Sequence, residues 1–201
     1  MDQNVILVET VPLEFDLESL GCRLRIRPGQ TKFMDRLSRL AEEAVRVARP
    51  KAVARLCGLT ILDEENVQVG EVTFSSPLLR QKMDGLGRAF PYLASEGTEL
   101  ADWSLSLSSS LEQVFASALR EVAVQQAENL LERTLLERYG IAQVSAMNPG
   151  SLKVWSLEEQ VPLFELLAPL PEKLGVTLLP SLMMRPEYSV SGVFFQTDSK
   201  F

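Results

Sequence analysis

The sequence predicts an α+β fold, with a twisted, largely antiparallel mixed sheet and one long helix and several shorter helices packed on it. Two observations predict it: strand-like runs cluster early and late in the chain, and a long helical pattern stands between them. No internal repeat is apparent. All 201 residues are expected to form one unit, with an N-terminal α/β part over 1–97, a helical segment over 98–140 and a C-terminal part over 141–201.

The elements follow in order. Val5 to Val11 is a short β-branched run ended by Pro12, a strand. Thr31 can cap a helix whose apolar positions Phe33, Leu37, Leu40, Ala41, Ala44, Val45 and Ala48 recur at helical spacing until Pro50. Val53–Leu62 and Val67–Phe74 flank the polar turn Asp63-Glu64-Glu65-Asn66 as a pair of strands. Ser75-Ser76-Pro77 opens a short helix, with Pro at a tolerated first-turn position, and Arg88–Ser95 is a further strand. Leu111, Phe115, Leu119, Val122, Gln126, Leu130, Leu131 and Leu135 trace one face of the long helix, which ends near Tyr139-Gly140. The Ser-rich Ser104–Ser110 reads as a helix junction. Glu158–Leu167 is a short helix, and Pro171 starts another turn that closes at Gly175. Val176–Met184 and Ser189–Phe195 read as antiparallel neighbours joined across Arg185-Pro186-Glu187.

Composition narrows the function. With 46% hydrophobic and 23% charged residues the chain is of ordinary soluble globular type. A net charge of −7 argues against a broad nucleic-acid surface, which needs clustered Lys and Arg. Arg23, Arg25 and Arg27 alternate along a segment and would share a strand face, a pattern that suits a solvated surface. The chain contains no histidine, and Cys22 and Cys57 lack any paired spacing. A Cys/His zinc site, a Ser-His-Asp arrangement and an imidazole ligand to cobalt are therefore excluded for this chain alone. There is no phosphate loop, and the paired acids Glu158-Glu159 suit the first turn of a helix. No secretory signal is recognisable and no stretch approaches the roughly 20 apolar residues of a membrane span, so a cytoplasmic protein that engages neither membrane nor nucleic acid is expected.

The chemistry-bearing pattern lies in the last quarter. Asn148-Pro149-Gly150-Ser151-Leu152 is a loop in which Pro fixes one backbone angle and Gly frees the next, allowing a ligand to approach the main chain. Taken alone it is also an ordinary turn. After Trp155, Gln160 and Leu163–Leu167 comes Ser189-Val190-Ser191-Gly192, which puts two hydroxyls on one strand face and a Gly where something packs closely. The chain ends with Asp198-Ser199-Lys200-Phe201.

In order and spacing, Asn148 to Phe201 resembles the reactivation domain of cobalamin-dependent methionine synthase. Ala127-Glu128 and Leu130-Leu131 on the long helix extend the likeness upstream. Since the chain opens on Met, the resemblance is to a stand-alone relative of that domain. It implies S-adenosylmethionine as ligand, a partner that carries cobalamin (a cobalamin-binding protein or corrinoid methyltransferase), and a flavodoxin-like reductant. Residues implied at the ligand are Asn148, Pro149, Gly150, Ser151, Ser189, Ser191, Gly192 and Phe201, with no catalytic residue and no metal ligand.

Several positions depart from the family pattern. Ala146 stands where the family has an arginine on the ligand carboxylate, and a methyl group cannot replace a bidentate cation. Ser151 replaces the aromatic that faces the corrin, Val124 a glutamate near cobalt, and Phe201 a tyrosine. Arg185 is a candidate replacement cation. Two functions follow from the resemblance: an accessory protein that reactivates a corrinoid methyltransferase, or a non-catalytic module that docks on a cobalamin protein or binds a corrinoid. A scaffold that kept the fold and lost the site is a third.

Overall fold

The computed structural model describes residues 3–151 and 155–197. In chain order the elements are β1 (Val5–Val8), α1 (Leu17–Arg23), α2 (Thr31–Val47), β2 (Lys51–Arg55), β3 (Cys57–Ile61), β4 (Asn66–Val69), β5 (Val72–Ser75) and α3 (Pro77–Lys82). Then come β6 (Arg88–Ser95), α4 (Thr98–Ser106), α5 (Ser110–Tyr139), β7 (Val144–Met147), a 3₁₀ turn (Leu157–Glu159), α6 (Gln160–Leu167) and α7 (Leu170–Leu174). Last are β8 (Thr177–Leu178), β9 (Met184–Arg185) and β10 (Ser189–Gln196).

The α+β expectation holds, and every strand pairing among the described residues is antiparallel. Strand β6 is the spine. It pairs with β2 and β3 on one side and β10 on the other, and β10 carries β7 at its far edge. Alternation along the strands assigns the two faces. Ala52, Ala54, Phe90, Tyr92, Ala94 and Phe194 pack against Ala127, Leu131 and Leu135 of α5. Val53, Leu93, Val193 and Phe195 pack with Trp155 and the leucines of α6 and α7. A third core lies among α1, α2, α4 and the first half of α5, around Leu37, Leu40, Leu100 and Leu119. Each such leucine contributes about 1.5–3 kcal/mol by leaving water.

Five local expectations are corrected. The strand anticipated over Val53–Leu62 is two strands, interrupted at Leu56, whose N–H donates to the Asn4 carbonyl at 2.7 Å. Val67–Phe74 is a hairpin, because Gly70, with φ of 60°, begins a two-residue loop. Arg23, Arg25 and Arg27 share no strand: Arg23 closes α1, which Asp16 caps by accepting from the Glu18 and Ser19 amides, and Arg25 has a φ of 57°. Thr31 is the first helical residue of α2, with Gln30 at the cap position. Val176–Met184 is not the neighbour of Ser189–Phe195. Pro180 interrupts it, the Leu182 amide closes a turn on the Leu179 carbonyl at 2.8 Å, and β8 pairs with β9 in a separate two-stranded sheet.

Helix α5 also places its face slightly differently from the expected stripe. Ala123 and Ala127 are buried at its centre, letting the helix approach the sheet closely, while Gln126 exchanges hydrogen bonds with the Glu14 backbone. The Ser76 hydroxyl accepts from the Leu79 amide at 3.1 Å and caps α3 as the Ser-Pro pair anticipates.

Candidate functional site

The Pro-Gly loop leaves the end of β7 at the sheet edge and runs beside β10. Pro149 and Gly150 are the central residues of a tight turn closed by the Ser151 amide on the Asn148 carbonyl at 3.2 Å, and Gly150 has the φ of 78° that favours glycine at the second position. The Ser151 hydroxyl donates to the same carbonyl at 2.6 Å, and the Gly150 amide to the Trp155 carbonyl at 2.8 Å. A side chain at Gly150 would meet Leu157 Cδ1 at 2.8 Å. Underneath, the fully buried Trp155 packs edge-on against Phe74 with centroids 5.7 Å apart.

Asn148 ties this loop to the sheet. Its amide nitrogen donates to the Ser191 carbonyl and to the Tyr92 hydroxyl, each at 2.8 Å. The Tyr92 hydroxyl donates to Glu128 Oε1 at 2.6 Å, while its ring stacks on Phe194 at 3.9 Å. Gly192 makes room for this arrangement, because a Cβ there would run into the Met147 carbonyl and come within 2.6 Å of the Asn148 amide nitrogen. Burial, reinforced by the Glu128 charge, pushes the Tyr92 phenol well above its ordinary range, so it remains a donor at every physiological pH. Burial also raises the pKa of Glu132, one turn beyond Glu128, and the charge of Glu128 adds to that rise.

The residues singled out in the sequence fall into two groups. Asn148 and Gly192 meet on the face that carries Tyr92 and α5, and Asn148 grips the Ser191 backbone there. The hydroxyls of Ser189 and Ser191 belong to the opposite face by alternation. Ser189 Oγ donates to the Pro186 carbonyl at 2.8 Å and lies 3.0 Å from Ser95 Oγ. Ser191 is 3% exposed, and its Oγ has no hydrogen-bond partner among the described residues. Ala146 is exposed on β7 opposite Phe194, and Val124 is half-buried on α5. Leu152 and Asp198-Ser199-Lys200-Phe201 lie outside the described residues.

Sequence reasoning missed Tyr92 as the neighbour of the loop, with Glu132 acting electrostatically on Tyr92, and it missed a buried ion pair. Arg120 of α5 donates through Nε and Nη2 to the two Glu96 oxygens at 2.6 and 2.7 Å, and its guanidinium lies 4.5 Å from the Tyr188 ring centroid. The Tyr188 amide also donates to Glu96 at 3.2 Å. Burial raises the Glu96 pKa, with Arg120 opposing. The signal available was weak: Arg120 stands among Ala116, Leu119 and Ala123 on the buried face of α5, a face that also holds Glu112.

The crystal structure of the MetH reactivation domain bound to AdoHcy matches 98% of this chain and 80% of that chain, with a TM-score of 0.66 at 16% sequence identity. The fold is similar to that of the MetH reactivation domain. No family model matches the sequence, and no curated protein does. The resemblance seen in the last quarter therefore extends, at the level of fold, across the whole MetH-like sheet and its long helix. Among the described residues no helix is long and apolar enough to cross a membrane, and no group of three or more histidine, cysteine, aspartate or glutamate side chains is arranged to hold a metal ion.

Proposed function

We propose that this chain is a single-unit reactivation-type accessory protein of the cytoplasm that binds S-adenosylmethionine and presents its methyl group to reduced cobalamin on a partner protein. The observation that carries the reading is the junction made by Asn148: it joins the Pro-Gly loop to the Ser-Val-Ser-Gly strand, two segments 43 residues apart, within a fold shared with a domain that binds AdoHcy. Asn148, Pro149, Gly150, Ser151, Ser189, Ser191, Gly192 and Phe201 are the residues proposed to serve the ligand. A cationic ligand suits the acid connected to the loop through Tyr92, since Glu128 accepts from the Tyr92 hydroxyl that Asn148 contacts. The ligand carboxylate finds no cation at Ala146. That loss amounts to about 1.5–3 kcal/mol, or roughly ten- to a hundredfold in affinity.

Cobalamin in this reading belongs to the partner, a cobalamin-binding protein or corrinoid methyltransferase, and supplies the nucleophile once a flavodoxin-like reductant has provided an electron. This chain's part is to orient the donor and exclude water. Saturable S-adenosylmethionine binding is expected, weakened when Gly150 or Ser191 is replaced by a bulky residue; absence of a thermal shift at millimolar ligand would count decisively against it.

A second reading is favoured by how much of the loop is committed to its own chain: Leu157 fills the space at Gly150, and Asn148 spends both amide hydrogens internally. Here the chain is a non-catalytic module that docks on a cobalamin protein or binds a corrinoid. It requires complex formation with the cobalamin protein when no S-adenosylmethionine is present, measured by co-elution; a complex that forms only with the ligand favours the first reading.

A further inference from the structure

A cavity of about 600 Å³ opens between α4, Arg120 of α5 and the β8–β9 hairpin, and none of its lining residues belongs to the Pro-Gly loop. Its wall carries two arginines, Arg120 and Arg185, and two acids, Asp102 and Glu187, with Leu105 and Met183 among its apolar side chains. That size lies within the range of small-molecule sites. Arg120 is its fixed point. The side chain is 10% exposed and clamped by Glu96, so its remaining nitrogen, Nη1, is presented rigidly, with Glu187 3.9 Å away and beyond hydrogen-bond reach. Asp102 and Arg185 are exposed, and neither makes an ion pair or a side-chain hydrogen bond with the described residues.

Two cations and two anions around a partly apolar volume complement a zwitterion that carries an apolar body. With the buried Glu96 behind Arg120 counted, three acids stand against two arginines, an excess of one negative charge. S-adenosylmethionine, with an ammonium, a sulfonium and a carboxylate, carries one net positive charge. Strand β10 links this cavity to the loop: Pro186 in the cavity wall accepts from Ser189, and two residues on, the Ser191 carbonyl accepts from Asn148.

We propose that this cavity holds the amino-acid end of the S-adenosyl ligand, with its carboxylate on Arg185 and Arg120 Nη1 and its cationic groups on Asp102 and Glu187. The inference rests on the S-adenosylmethionine reading above and supplies the cation that Ala146 lacks. It is tested by titration calorimetry of the full chain and of Arg185→Ala and Asp102→Asn, both surface changes that leave the core intact. The probes are S-adenosylmethionine, S-adenosylhomocysteine and 5′-methylthioadenosine, the last lacking the amino-acid end.

Arg185→Ala is expected to weaken S-adenosylmethionine about ten- to a hundredfold and to leave 5′-methylthioadenosine unchanged. Asp102→Asn is expected to weaken S-adenosylmethionine more than S-adenosylhomocysteine, which lacks the sulfonium charge. Unchanged binding by Arg185→Ala, or an equal loss for 5′-methylthioadenosine, overturns the inference and leaves the function standing. A wild-type chain that ignores S-adenosylmethionine at millimolar concentration overturns both.

Discussion

Gly192 shows how one residue can serve structure at a position that sequence reasoning assigns to a ligand. The space its missing side chain leaves is taken by Asn148 and the Met147 carbonyl. Gly192→Ala should therefore cost about 1–3 kcal/mol of overpacking, read as a lower urea midpoint, and an unchanged midpoint would mean that the strand and loop are less closely joined than described. Glu132 offers a test of the electrostatics. Its folded pKa is raised above the ordinary 4.5 by burial and then by Glu128. The folded state thus favours the protonated form, and the associated stability, full below the unfolded value, is lost as pH rises through the folded value. Glu132→Gln should raise the melting temperature at pH 7 and have little effect near pH 4; the reverse pattern would show that the carboxylate is instead stabilised by a cation.

At the scale of elements, the Glu96–Arg120 pair holds together the end of β6, helix α5 and the start of β10. With Glu96 fully buried and Arg120 nearly so, Glu96→Gln strands a guanidinium and should cost about 3–5 kcal/mol in chemical denaturation. A cost below 1 kcal/mol would mean that water solvates the Nε and Nη2 side of Arg120 and not only the Nη1 edge that faces the cavity. Elements with strong local signals were legible in the sequence: Arg88–Ser95 matches β6, Ser76-Pro77 opens α3, and Gly140 ends α5 in the left-handed conformation. Of the two C-terminal strands, Ser189–Phe195 was legible as β10, whereas Val176–Met184 is a two-residue strand, a turn and the start of β9. Pro180 was itself the sign of a break in Val176–Met184, but nothing local reveals that β10 pairs with β6, about a hundred residues earlier. The candidate site was half legible. Pro149-Gly150 announces a turn, and Gly192 a close approach, but only the tertiary fold brings Tyr92, Glu128 and Asn148 together and separates the Ser189 and Ser191 hydroxyls from them.

At the scale of the whole molecule, the fold is similar to that of the MetH reactivation domain, and the chain's own charged residues decide what it can bind. In the proposed reading the ligand carboxylate meets no cation at Ala146, while Arg185 and Arg120 offer cations at the hairpin cavity, so the affinity is expected to be modest and sensitive to salt. Raising the ionic strength should weaken S-adenosylmethionine binding more than that of 5′-methylthioadenosine, and equal weakening would contradict a charged contact to the amino-acid end. The most direct measurement is isothermal titration of the full chain with S-adenosylmethionine, with S-adenosylhomocysteine as the control. Saturable binding with a dissociation constant on the order of micromolar, about −8 kcal/mol, is the expected result. No heat at millimolar ligand would contradict it and leave the fold to serve a docking or corrinoid-binding module.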